Sequence, residues 1–175
     1  TEPTVYMEYV VDTARLAKRS GLLNVMVTNG YTGPEIVRSD LAGLIDGANI
    51  DLKSFSDDFY RRLCSARLAP VLDAVQAYFA SGIWIEITTL IIPGENDSEQ
   101  ELKEIARFIR GMSPDIPWHI SRYYPRYRYH KTGPTPVKTL EKAREIGMNE
   151  GLRYVYTGNV AGHAGEHTVC PGCSE

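Results

Sequence analysis

Asp51 and Lys53 are the residues of this 175-residue chain whose types and spacing most directly suggest chemistry. They close the stretch Gly47-Ala48-Asn49-Ile50-Asp51-Leu52-Lys53, in which apolar and polar residues alternate. In a strand, that alternation puts Ile50 and Leu52 on one face and Asn49, Asp51 and Lys53 on the other. The segments on both sides are helical in pattern, which predicts a strand of a parallel sheet, ordinarily covered on both faces and apolar throughout. An unpaired charge buried there costs several kcal/mol or neutralises itself. The C-terminal end of such a strand is where α/β folds bind ligands. A carboxylate beside an amine can act as acid and base, and a lysine can form a Schiff base with a carbonyl substrate. An internal Asp–Lys ion pair without a ligand is the plainer alternative.

Two other stretches could carry chemistry. His163, His167, Cys170 and Cys173 form H-x-x-x-H-x-x-C-x-x-C, four ligands within eleven residues that could enclose zinc tetrahedrally. The alternative is that Cys170-Pro171-Gly172-Cys173 is half of a site completed elsewhere, or an unbound pair. The loop from Arg122 to Lys131 interleaves cations and aromatics, as in surfaces that stack bases or cover a substrate. Its bland alternative is a solvated loop with tyrosines packed on a rim. A net charge of −3 and a pI of about 5.8 argue against nucleic acid and against an anionic membrane surface.

The elements that must position these residues follow a strict alternation. A first helix carries Met7, Val10, Val11, Ala14 and Ala17 on one stripe, capped by Thr4 and ended by Gly21. Strands are expected over Leu23–Val27, Gly47–Lys53, Trp84–Ile92, Trp118–Arg122 and Tyr154–Tyr156. Helices between them are signalled by Pro34, by Ser56, by Pro70, by the Ser98/Glu101 capping box and by Thr135-Pro136. Helix–strand alternation with short connections predicts an α/β fold with a parallel sheet. Thr28-Asn29-Gly30, Asp51 with Lys53, Pro93 to Asp97, Arg122 to Tyr124, and Thr157-Gly158-Asn159 then share one rim. Residues 1–157 form the expected α/β domain and residues 158–175 an irregular tail rich in Gly, His and Cys.

Composition is that of an ordinary globular chain, 43% hydrophobic and 23% charged. The longest apolar run, from Ile83 to Ile92, is too short to span a bilayer, and no signal-peptide pattern is seen. Three cysteines, Cys64, Cys170 and Cys173, make no disulfide framework, so a reducing cytoplasm is expected. The first helix has no strand before it, and the chain is expected to be the C-terminal portion of a longer protein.

Several stretches together resemble the C-terminal two-thirds of radical S-adenosylmethionine (SAM) enzymes of the pyruvate formate-lyase-activating type. The resemblance is nearest to the radical SAM member of the AmmeMemoRadiSam system. The stretches are Thr1-Glu2-Pro3, Val25 to Tyr31, Ala48 to Lys53, Thr88 to Gly94 with Asn96-Asp97, His119 to Arg122, and Leu152 to Asn159 with Cys170-Pro171-Gly172-Cys173. The resemblance implies a partial (β/α) barrel with about five strands present and the first missing. It implies a four-iron four-sulfur cluster, held by a C-x-x-x-C-x-x-C loop after the first strand, whose fourth iron is chelated by SAM. It further implies that an electron from the cluster cleaves SAM to methionine and a 5′-deoxyadenosyl radical, which takes hydrogen from a substrate. The substrate is a protein or a small molecule, a glycyl-radical protein by analogy.

Carried over position by position, the resemblance assigns cofactor contacts to Glu2, Thr28, Asn29, Asp51, Lys53, Thr88 and Tyr124. Glu2-Pro3 ends the motif that holds the methionyl amino group, with Thr1 where the motif has its second glycine. Thr28 and Asn29 match the strand end near the aminoacyl part, and Asp51 and Lys53 suit its zwitterion. Thr88 stands where related activases can carry Arg, and Tyr124 where some carry a nucleoside-contacting His. No residue is assigned to catalysis itself, and no C-x-x-x-C-x-x-C occurs in the chain. Two other readings are left open: a different (β/α) lyase or hydrolase using Asp51 and Lys53, and a non-catalytic scaffold.

Overall fold

Alternating apolar positions make the strands, and the 3.6-residue stripes between them make the helices that cover one side. The structure, a computed structural model, describes residues 2–170, 172 and 173; Thr1, Pro171, Ser174 and Glu175 lie outside the described residues. A 3₁₀ turn, Pro3–Tyr6, leads into α1 (Met7–Arg19), β1 (Val25–Thr28) and α2 (Pro34–Ile36), which ends in a wide π-helical turn over Val37–Leu41. Then come β2 (Gly47–Asp51), α3 (Asp57–Phe59, continued by a π-helical turn over Tyr60–Cys64), α4 (Leu68–Ala80) and β3 (Trp84–Ile91). The chain continues through α5 (Glu99–Met112), β4 (Trp118–Arg122), α6 (Val137–Asn149), β5 (Val155–Gly158) and a 3₁₀ turn, Ala164–Glu166. Among the described residues no helix is long and apolar enough to cross a membrane.

All five strands are parallel, in the order β1-β2-β3-β4-β5. Sequence neighbours are sheet neighbours throughout, so the sheet advances in one direction like a barrel wall. A sheet wound both ways from its middle would carry helices on both faces. Here one face is packed and the other is open. Met26, Ala48, Ile50, Ile85, Ile87, Ile91, Trp118, Ile120 and Val155 are buried under the helices. Val25, Val27 and Trp84, pointing the other way, are 71%, 68% and 59% exposed. This corrects the expectation of a sheet covered on both faces. The polar face of β2 needs no burial, because it lies on the open side of the sheet.

The packed side carries the stability. Val71, Val75 and Tyr78 of α4, Leu102, Ile105 and Ile109 of α5, and Leu140 and Ala143 of α6 lie at or near zero exposure. Each fully buried Leu, Ile or Val contributes roughly 1.5–3 kcal/mol. Helix starts follow local chemistry. Ser56 Oγ accepts from Phe59 N at 3.3 Å, and Ser98 Oγ accepts from Glu101 N at 3.3 Å. The reciprocal half of the Ser98 capping box does not form, because Glu101 turns instead to the Ser54 hydroxyl and to Phe55 N at 3.0 Å. Thr4 is not a cap either: its own N–H and hydroxyl donate to Glu2, and α1 starts at Met7. Helix α4 begins two residues before Pro70, which the first turn accommodates because its N–H groups have no partner within the helix.

Gly147 sets how closely α6 approaches the sheet. A Cβ there would lie 2.9 and 3.0 Å from the ring of Trp118 and 3.1 Å from Val155. Trp118 cannot yield easily, since it is fully buried and its Nε1 donates to Thr89 Oγ1 at 2.9 Å. Gly147→Ala gains about 1 kcal/mol of helix propensity and loses about 1–3 kcal/mol to overpacking. The expected result is a net loss of about 1 kcal/mol in urea-unfolding free energy. A more stable variant would show that α6 can slide.

Candidate functional site

Every strand ends on the same side, and each end leaves backbone groups outside the ladder that must find partners. Among the described residues the buried polar side chains are Thr28, Ser54, Thr89, Asn96, Thr135 and Thr157, which lie in or after the C-terminal parts of strands or, for Thr135, just before α6. Asn96 is a clamp: Oδ1 accepts from Ile92 N at 2.7 Å, while Nδ2 donates to Lys53 O at 2.6 Å and Leu90 O at 2.9 Å. It ties the ends of β2 and β3 together. Thr89 Oγ1 donates to Leu52 O at 2.8 Å, and Thr135 Oγ1 donates to Ile91 O at 2.6 Å. Sequence patterning marks Asn96 only as a turn residue; its bridging role depends on the β2–β3 register.

On this knitted rim lies a cavity of about 730 Å³. Asn29, Asp51, Lys53, Thr88, Ser121 and Asn159 supply its polar groups, and Tyr31, Tyr60, Leu63, Leu90 and Tyr123 much of its apolar wall. Four of the expected residues, Asn29, Asp51, Lys53 and Thr88, therefore share one space. Lys53 Nζ donates to Asp51 Oδ2 at 2.5 Å, and both side chains keep about a third of their surface exposed (35% and 34%). The internal ion pair exists, and it faces the cavity. The register explains the grouping, because Asp51 pairs with Thr88 and Thr88 with His119. Gly30, at φ +71°, permits a tight wall: a Cβ there would meet Ile50 Cγ2 at 2.8 Å. Cys64 also lines the cavity, its thiol pushed up by burial with Asp51 adding to the effect and Lys53 opposing it. Burial likewise raises the Tyr60 phenol, whose oxygen accepts from Lys53 N at 3.1 Å.

Thr28, Glu2 and Tyr124 are placed differently. Thr28 is buried and bonded: its hydroxyl donates to Glu2 Oε1 at 2.7 Å and accepts from Gly30 N at 3.1 Å. Glu2 Oε1 also accepts from Thr4 N and Thr4 Oγ1, and Oε2 accepts from Asn29 N at 2.7 Å. Glu2 thus fastens the N-terminal turn to the end of β1. Tyr124 lines a neighbouring groove with Arg122, Arg126 and Val160, which meets the main cavity at Leu90, Tyr123 and Asn159. Its hydroxyl accepts from Arg122 and donates to Asn159 O at 3.3 Å.

The tail does not assemble the expected zinc site. Among the described residues no three His, Cys, Asp or Glu side chains gather as metal ligands. His163 turns inward, where Nδ1 meets Thr157 Oγ1 and the N–H of Gly165, both at 2.9 Å, and Nε2 faces Glu141. Cys170 and Cys173 stay together at the surface, the Cys170 thiol lowered by N–H groups of Cys173 and Gly172 and by the Cys173 thiol. A different pair sits on the open face: His119 Nε2 meets Glu86 Oε2 at 2.6 Å, with the His119 ring stacked on Tyr156 at 5.3 Å. The two-residue spacing of Glu86 and Thr88 on one face could have revealed it once the register with β4, which sets Thr88 opposite His119, was known.

A family model described as the radical SAM superfamily matches residues 1–109 of this chain. An uncharacterised protein of Methanocaldococcus jannaschii is 45% identical over 174 residues, covering 99% of this chain and 51% of that protein. A putative glycyl-radical enzyme activating enzyme of the same organism is 26% identical over 154 residues, covering 83% of this chain and 62% of that protein. Among solved structures, a domain of pyruvate-formate lyase-activating enzyme from Bacteroides vulgatus superposes with a TM-score of 0.76. That match has 18% identity and covers 91% of this chain and 95% of the other, a likeness of fold. The chain spans about half the length of the first of these relatives.

Glu2 gives the site a pH signature. Burial pushes its carboxyl up, but hydrogen bonds from Asn29 N, Thr28 and Thr4 together outweigh this and hold it below its ordinary value of 4.5. A depressed folded pKa contributes stability above the unfolded value, lost as pH falls through the folded one. Glu2→Gln should therefore lower the melting temperature most near neutral pH. The gap to wild type should shrink once pH falls below about 4.5. A gap independent of pH would overturn this assignment.

Proposed function

Because this chain belongs to the radical SAM superfamily, we propose that its strand-end cavity binds S-adenosylmethionine and serves an enzyme that cleaves it reductively and takes hydrogen from a substrate. The observation that carries the proposal is the Asp51–Lys53 pair opening into a cavity shared with Asn29 and Thr88. A methionyl group carries an ammonium and a carboxylate, so it can replace this pair charge for charge, Asp51 taking the ammonium and Lys53 the carboxylate. Thr88 and Asn29 add neutral hydrogen-bonding groups beside them. The cavity lies within the usual range for small-molecule sites, roughly 300–1,000 Å³. Its side toward Tyr123 and Asn159, with Tyr124 beyond, is left for the nucleoside. The cofactor's chemistry, when bound and reduced, is hydrogen abstraction.

The donor set suits SAM and does not suit the iron–sulfur cluster that the family implies. Cys64 lines the cavity beneath the rim, whereas Cys170 and Cys173 are exposed on the tail. Among the described residues these three cysteines do not converge on one point, so together they make no set of cluster ligands. Activation of a glycyl-radical protein is the finer proposal, supported by the 26% identity to a putative activating enzyme.

Binding is read by isothermal titration with SAM. Asp51→Ala should weaken it about tenfold, since charge-assisted hydrogen bonds are among the stronger polar contacts. Stability should barely move, because a part-exposed ion pair contributes only about 0–1 kcal/mol. Incubated with SAM, iron, sulfide and dithionite without oxygen, this chain should make no 5′-deoxyadenosine by chromatography. Unchanged SAM affinity in Asp51→Ala would reject the cofactor site, and 5′-deoxyadenosine from this chain would reject the cluster assignment.

A further inference from the structure

The rim carries a basic loop that the proposed cofactor site leaves unused. Between β4 and α6, residues Arg122 to Lys131 include three arginines and one lysine and no Asp or Glu. Elsewhere the chain's arginines commonly hold carboxylates, as Arg61, Arg62, Arg67 and Arg107 do. Among the described residues, none of the four loop cations has an ion-pair partner. The nearest acids are already engaged. Glu95 accepts from Arg62 at 3.0 Å and from the Tyr129 hydroxyl at 2.6 Å, and Glu166 accepts from Gly162 N.

The loop is braced at its base, and its tip, closed by Tyr129 N donating to Arg126 O at 3.2 Å, is exposed. Tyr123 Oη donates to Tyr129 O at 2.7 Å, and Arg122 Nε donates to Thr135 O at 2.7 Å. Arg126, Tyr127 and Arg128 are exposed, with Tyr127 at φ +52° and 82% exposure. The loop's cations lie over its tyrosines: Arg122 is 4.9 Å from the Tyr124 ring centroid, Arg128 5.1 Å from Tyr127 and Lys131 5.8 Å from Tyr129. These contacts orient the charges without neutralising them. They also occupy ring faces that a nucleic-acid base would need for stacking. Beside the tip runs the groove lined by Leu90, Arg122, Arg126, Val160, Ala161 and Glu166, part apolar and with two arginines to one carboxylate, which meets the main cavity.

We propose that this loop and groove dock an extended, acidic polypeptide segment of the protein on which the reaction acts. Carboxylates of the segment meet Arg126, Arg128 and Lys131, and its smaller side chains enter the apolar part of the groove. The proposal rests on the glycyl-radical reading only in taking the partner to be a protein. Charge complementarity selects an acidic occupant for the four cations without ion-pair partners, and the tyrosine faces on which nucleic-acid bases would stack are already covered by three of those cations, which favours an acidic polypeptide.

The test is fluorescence anisotropy with a fluorescein-labelled peptide of alternating Asp and Gly. The Lys–Gly counterpart and a short single-stranded RNA serve as comparison probes. The acidic peptide should bind saturably, weaken as salt rises, and lose about tenfold in affinity in R126E/R128E/K131E. R15E, on the exposed face of α1, should bind as wild type. Circular dichroism and SAM titration establish that the triple variant is folded; if it is not, R126Q/R128Q/K131Q replaces it with the same expectation. Equal binding by the loop variant, no saturable binding, or tighter RNA binding lost with the same substitutions overturns the proposal. Peptide binding is measured without SAM, so this docking surface and the Asp51–Lys53 cofactor site can each fail alone.

Discussion

A parallel sheet brings all its strand ends to one side, and every backbone group leaving the ladder there must be satisfied without water beneath it. This protein meets the constraint largely with neutral side chains under the rim, joined by the carboxylates of Glu2 at Asn29 N and Glu101 at Phe55 N. Asn96 bridges two strand ends, while Thr89 and Thr135 each reach a carbonyl of a neighbouring segment. Neutral groups suit the task, since burying them hydrogen-bonded costs far less than burying charge. With the backbone secured from below, the side chains above it are free to face a ligand.

The two faces of the sheet divide stability from chemistry. The helix side is filled with fully buried aliphatic residues and Trp118. The open side carries Asn49, Asp51, Glu86, Thr88 and His119, tied to one another by Thr88 Oγ1 donating to Asn49 Oδ1 at 2.7 Å and by the Glu86–His119 contact. In contact with solvent, these groups avoid the several kcal/mol that burial would impose. The open face can thus carry polar chemistry at little cost to the fold.

Two carboxylates near the rim show how environment separates structural from exchangeable charge. Glu2 accepts four hydrogen bonds from three residues, none from a flexible cation. Displacing any of them would loosen the turn that anchors α1. Asp51 holds one lysine ammonium on a flexible stem, at a position a third exposed. A ligand ammonium can replace that partner without disturbing backbone.

Alternation and helical stripes in the sequence determined that there are five strands, that helices lie between them, and that Asn49, Asp51 and Lys53 share a face. The strand-end stretches and the family resemblance were legible because turn residues and short motifs are local. The tertiary structure alone decided which strand-end residues meet. Strand order and register brought Asp51 beside Thr88, while they left Thr28 beneath the rim with Glu2 and put Tyr124 in the next groove. It also turned Glu101 away from its own helix start toward Ser54, and His163 away from Cys170 and Cys173 toward Thr157. Spacing along the chain limits what side chains could reach. Which partner each takes depends on hydrogen-bonding groups from distant segments, and only the folded register brings those within range.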